Sequence, residues 1–212
     1  MRYTQTFVDV FLKANIRQGL SELTQNFDDS ICEMEKCMEQ FQIGLKVCEK
    51  KQMKNTYILW NYAGFVNMCA MELKIHMKAT VSSTNEWESR THIKAAYMLI
   101  HSFYEAYDII HKDYNQLTYH QRIGDDFIKS LENNTHVIRE FRKAYLKHIK
   151  IIRNNNAAHL LPNVVEQIDT MERFQLSQTI EVLLKFGNIL NMIGGVLNAE
   201  IKYVLANLDS IR

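Results

Sequence analysis

Apolar residues recur along most of this chain at steps of three and four, the spacing of one face of an α-helix. Ile31, Met34, Cys37 with Met38, Phe41, Leu45 and Cys48 trace such a face over about 28–51, and Ser30 with Glu33 has capping-box spacing at its start. Met53, Tyr57, Trp60, Gly64, Asn67 with Met68, Met71 and Ile75 continue the pattern to about residue 80. The Ser82-Ser83-Thr84-Asn85 cluster interrupts it. Ser83 with Glu86 then offers a second capping box, before a long helix with Ala96, Leu99, Phe103, Ala106, Ile110 and Tyr114 on one side. Residues 115–134 are more polar and contain Gly124-Asp125-Asp126 and Asn133-Asn134, which predicts a break holding one short helix. Ile138, Phe141, Tyr145, Ile149 and Ile152 form the next stripe. It ends at Asn154-Asn155-Asn156, poor helix formers, and Pro162 blocks continuation. The last stripe is the most regular. Leu176, Ile180, Leu183, Gly187, Leu190, Gly194, Leu197, Ile201, Val204 and Leu208 alternate steps of four and three in a heptad-like seam. Glycine within that seam predicts close approach of a neighbouring backbone or, at Gly194-Gly195, a kink.

Composition turns this pattern into a fold class. The 212 residues include one proline and seven glycines, too few breakers for a Gly/Pro-turned sandwich or barrel, a collagen-like chain or a low-complexity linker. Hydrophobic residues at 47% and charged residues at 23% are ordinary for a folded chain. The expectation is an all-α helical bundle of about five to seven helices, with a long C-terminal helix, forming one domain over 1–212. The alternative division makes residues 1–82 an N-terminal helical extension. The longest uncharged stretch, Asn55 to Met71, is 17 residues with three asparagines, too short and polar to span a bilayer. The first residues show no apolar leader-like run, so the expected location is cytoplasmic, with no membrane partner. Cys32, Cys37, Cys48 and Cys69 form no CxxC pair and read as reduced, buried or half-buried thiols. The Met-rich stretch from Met68 to Met77 reads as core packing.

Several chemistries find no support. The chain lacks GxGxxG, Walker A, HExxH, GxSxG and EF-hand patterns. His101, Glu105, Asp108 and His111 share one predicted helix and invite a di-metal reading. At 100° per residue, however, His101, Glu105, Asp108 and Lys112 fall within about 80° of one another and opposite Leu99, Phe103 and Ile110, the expected solvated face. No ExxH partner motif lies on another helix. No metal and no cofactor are therefore expected. Cys32 and Cys37, five residues apart, diverge by about 140° on a helix and are read as core thiols rather than a redox pair.

Charge is balanced overall, 25 Lys and Arg against 24 Asp and Glu, but unevenly distributed. Between His136 and His159 lie Arg139, Arg142, Lys143, Lys147, Lys150 and Arg153, with Glu140 the only acid, whereas residues 21–50 carry seven acids and three bases. The basic helix reads either as a solvated outer face or as a surface for a polyanion, here RNA, with affinity falling as salt rises.

That helix runs into Ile152-Arg153-Asn154-Asn155-Asn156-Ala157-Ala158-His159, and here the chain resembles the HEPN superfamily of helical ribonucleases and nucleotide-binding domains. The signature of the family is an arginine followed, after four to six residues, by a histidine, usually with a polar residue just after the arginine. Arg153, Asn154 and His159 match it, and the resemblance covers about residues 85–210. Arg142 and His148 match the bare spacing too, but sit mid-helix, where six residues turn about 240° and part the side chains. Arg153 and His159 straddle the asparagine break. The resemblance implies metal-independent RNA cleavage by 2′-OH attack, with His159 as proton shuttle, Arg153 stabilising the phosphorane charge and Asn154 orienting the arginine or phosphate. It further implies a homodimer, a toxin or phage-defence setting, and an antitoxin or other regulatory protein as partner. Leu161 stands where toxins paired with a nucleotidyltransferase antitoxin have tyrosine, which puts that form of regulation in doubt. Two rival readings are a non-catalytic RNA-, nucleotide- or protein-binding module, and an unrelated bundle that dimerises along the 176–208 seam.

Overall fold

The computed structural model describes residues 19–117, 126–156 and 176–207, which form five α-helices and no strand. These are α1 (Leu20–Lys50), α2 (Lys54–Ser82), α3 (Glu86–Tyr114), α4 (Asp126–Asn156) and α5 (Leu176–Ala206). The all-α expectation holds, including the long last helix.

Cross-helix contacts define the topology. Phe65 stacks on Phe103 and His76 faces His92, so α2 and α3 run antiparallel. Tyr104 meets Phe141 and Tyr97 meets His148, so α4 is antiparallel to α3. Phe141 touches Phe186, Phe127 touches Tyr203, and the Asn134 amide donates to the Met192 carbonyl at 3.3 Å, which makes α5 antiparallel to α4. Leu73 lies against Gly187 and Val66 against Gly194, closing the ring between α5 and α2. The result is an up-and-down four-helix arrangement of α2–α5. Helix α1 forms a hairpin on α2 at the edge, through Phe41–Trp60 and the Asn67 amide on the Met34 carbonyl.

The core is continuous from Leu59 to Val204 and is most aromatic where Phe103 meets Phe65, Tyr104, Tyr107 and Phe186. The seam on α5 is part of it: Leu183, Leu190, Leu197, Ile201 and Val204 are all buried. Its glycines receive α2 of the same chain and α5 runs through Gly194-Gly195 as one helix. The rival reading, an unrelated bundle dimerising along this seam, meets a face that an intramolecular neighbour already covers. Gln178–Ala206 has the length and apolar content of a membrane-crossing helix, and its side bearing Leu183, Phe186, Leu190 and Ile193 is used in this core.

Element boundaries differ from expectation in instructive ways. Helix α1 starts at Leu20, eight residues before the predicted start, because Leu23 and Phe27 extend its packed side. Ser30 is consequently mid-helix, where it accepts from Lys74 rather than capping. The cap of α3 is Asn85, whose side chain accepts from the Glu88 N–H at 2.9 Å while Glu88 accepts from the Thr84 N–H at 3.2 Å. Ser83 is instead buried, bonding the Thr80 carbonyl and Ser89. Helix α4 starts at Asp126 and passes through Asn133-Asn134, where the Asn134 bond to α5 offsets a poor intrinsic propensity. The α1–α2 turn has no glycine. Gln52 takes the left-handed conformation, φ 54°, and the N–H groups of Met53 and Gln52 bond the carbonyls of Cys48 and Glu49 at 2.8 and 3.1 Å, a Schellman closure.

Candidate nucleic-acid interface

Helix α4 buries Leu131, Ile138, Phe141, Ile149 and Ile152 against α3 and α5. With that stripe fixed, the helical repeat sends Arg139, Lys143, Lys147 and Lys150 into an arc about 80° wide on the opposite side. All four are exposed, and none makes an ion pair with a described residue. His136 lies in the same arc, and Glu140 flanks it.

Arg142 is placed differently. Its Nη1 reaches the two carboxylate oxygens of Asp108 on α3 at 3.0 and 3.2 Å, and its guanidinium lies 5.6 Å from the Tyr104 ring centroid. This residue clasps α3 to α4, and its charge is already balanced. His148, the other half of the second Arg/His match, stands edge-on to Tyr97. Asp108 and Tyr97 are eleven residues apart on α3, about 16 Å of rise, so Arg142 and His148 dock on different turns and do not meet.

Arg153 and Asn154 lie in the last turn of α4, which continues to Asn156; the asparagine run is part of the helix, not the break after it. Buried Ile149 and Ile152 pin this turn to the bundle. Because α3 and α5 run opposite to α4, both begin near its end; the Tyr97 hydroxyl joins their neighbouring turns by donating to Thr179 at 3.5 Å. His159 lies outside the described residues, as does Pro162.

The predicted solvated face of α3 needs one correction. Glu105, Asp108 and Lys112 are exposed, but His101 is 3% exposed, with Nδ1 3.5 Å from Glu105 Oε2. The helical wheel of α3 alone could not show that His101 is covered. His111 is half-buried, its Nδ1 3.4 Å from the Tyr62 hydroxyl and its ring stacked on Tyr107. Burial lowers its pKa; Arg139 adds to that, while Asp108 and Glu132 oppose it. Among the described residues no three His, Cys, Asp or Glu side chains converge as a metal site. Cys32 and Cys37 are exposed rather than core thiols, whereas Cys48 and Cys69 are buried. Burial, with Glu72 nearby, pushes the Cys69 thiol up to about 12. Met68 is exposed, while Met77 packs on the core.

Sequence reasoning missed one polar cluster. Glu200 is fully buried and accepts from the Tyr114 hydroxyl, beside Tyr62. The signal was present: Glu200 sits between Leu197 and Val204 on the apolar side of α5, where an acid is out of place. No family model, curated protein or solved structure matches the chain.

Proposed function

We propose that this chain is a HEPN-type endoribonuclease that cuts RNA without a metal, acting as a homodimer under a regulatory or antitoxin partner in a toxin or phage-defence setting. The observation that carries the reading is the Arg153-Asn154…His159 pattern, entered from a helix whose outer arc holds four exposed cations with no ion pair to a described residue. A phosphodiester arriving along Arg139, Lys143, Lys147 and Lys150 is drawn toward the turn that bears Arg153. There the ribose 2′-OH attacks the adjacent phosphorus, forming the P–O2′ bond as the P–O5′ bond breaks. His159 accepts the 2′-hydroxyl proton and returns it to the departing 5′ oxygen. Arg153 donates paired hydrogen bonds to the phosphorane oxygens, and Asn154 orients the arginine or the phosphate. The products are a 2′,3′-cyclic phosphate and a 5′-hydroxyl.

The test is cleavage of mixed RNA in EDTA, with end-group analysis. Cyclic-phosphate ends, and a loss of about 10²- to 10⁴-fold in both Arg153→Ala and His159→Ala, are expected. Full activity in either variant sinks the assignment. RNA binding without turnover would make the chain a non-catalytic binding module.

A further inference from the structure

Trp87 stands in the first turn of α3 with 56% of its surface exposed, and its indole makes no ring contact or hydrogen bond. A solvent-facing tryptophan leaves a large π surface wet, which core packing does not explain.

Its position links it to the basic helix. Tyr97 lies opposite His148 and Tyr104 opposite Phe141, so the antiparallel register carries residue 87 just past the end of α4 at Asn156. Arg153 falls about five residues short of that level, roughly 7.5 Å along the axis. Around α3, Trp87 shares the angle of exposed Glu105 and is about 60° from Asp108, which Arg142 grips. Trp87 therefore stands on the outer side of α3, bordering the flank that Arg142 grips, level with the last turn of α4. Apart from the His136 imidazole the α4 arc supplies cations and no aromatic side chain, and Trp87 supplies the broad aromatic surface that arc lacks.

We propose that Trp87 stacks one unpaired RNA base beside the Arg153 turn while Arg139, Lys143, Lys147 and Lys150 hold the adjoining phosphates, so that the bound RNA is single-stranded. The inference rests on the reading that this chain acts on RNA. Stacking accepts any base, and the cations read only phosphate, so recognition at this face is tolerant of sequence. Trp87 is a positioning residue: it holds the base without touching the reacting phosphate.

The two components separate by salt dependence. A 2′-deoxy version of an unstructured oligonucleotide cannot undergo 2′-OH attack and reports binding alone. Four phosphate contacts on a single strand give a log–log salt slope of about −2.8, a loss of about 50-fold in affinity between 50 and 200 mM. Trp87→Ala should weaken binding by about 5- to 150-fold without changing that slope, since it removes stacking and no charge. Lys143→Gln with Lys147→Gln should halve the slope. Bound oligonucleotide should quench tryptophan fluorescence, and Trp87→Phe should abolish the quenching while retaining part of the affinity, Trp60 serving as the internal reference. Undiminished affinity in Trp87→Ala, quenching that persists in Trp87→Phe, or a preference for a fully paired hairpin over the unstructured strand overturns the proposal. Loss of cleavage activity with these binding results intact would overturn only the ribonuclease reading.

Discussion

Replacing Gln52 with glycine should stabilise the protein. This residue ends α1 at φ 54°, where a side chain bearing Cβ crowds the following carbonyl at a cost of about 1–2 kcal/mol. Both closing hydrogen bonds come from backbone N–H groups, to Cys48 at 2.8 Å and Glu49 at 3.1 Å, so glycine keeps them. The Gln52 side chain is exposed, and its removal uncovers no core. Against the relief of strain stands the greater freedom of glycine in the unfolded chain, about 0.5–1 kcal/mol. The net gain is about 0.5–1 kcal/mol, or roughly 1–4 °C in Tm for a chain of this size. Urea unfolding followed by circular dichroism measures it, with Gln52→Ala as the control. Alanine keeps the Cβ and should stay within about 0.5 kcal/mol of the parent. If alanine stabilises as much as glycine, or glycine gives nothing, the backbone-strain argument is wrong.

Three further outcomes are expected. Gly195 has nothing within 4 Å of an added Cβ, so Gly195→Ala should raise stability by up to about 1 kcal/mol, whereas Gly44→Ala drives a Cβ into the Trp60 ring and should lose about 1–3 kcal/mol of packing before any helical gain; thermal melts of the two variants should move in opposite directions. Burial and the facing His92 lower the pKa of His76 below 6.5, and burial lowers His111 likewise. The folded state therefore binds fewer protons than the unfolded chain near pH 6, and stability present above about pH 6.5 is lost as pH falls through it. Melts between pH 7.5 and 5 should show this, and a His76→Gln/His111→Gln double variant should flatten the decline. Phe103→Ala empties the aromatic centre shared by α2, α3 and α5 and should cost about 3–5 kcal/mol in urea unfolding; a cost below 1 kcal/mol would contradict that centre.

Periodicity alone made the helices legible, since a step of three and four is a property of one chain segment and survives whatever packs against it. The scarcity of glycine and proline was equally direct evidence of few breaks. The Ser82–Asn85 interruption was located correctly, but the capping residue was not. Several residues there can cap, and Asn85 prevails because Ser83 is drawn into a buried bond with Ser89. Of the candidate site, the sequence placed the cations at positions 139–153 and paired Arg153 with His159. It could not tell that Asp108 neutralises Arg142, a residue 34 positions away.

What the sequence determined by itself was local: helical type, the apolar stripes, the one basic helix and the arginine–histidine spacing at its end. Tertiary structure decided which flanks of those stripes are covered. It buried His101, left Cys32 and Cys37 in water on the outer side of an edge helix, enclosed Glu200 with Tyr114, and seated Gly187 and Gly194 against α2 instead of a second copy. The physical reason is the same throughout. A helical wheel fixes the direction in which a side chain leaves its own axis. Whether it meets water, a carboxylate or a neighbouring backbone depends on helices tens of residues away, whose positions follow from packing the whole core at once.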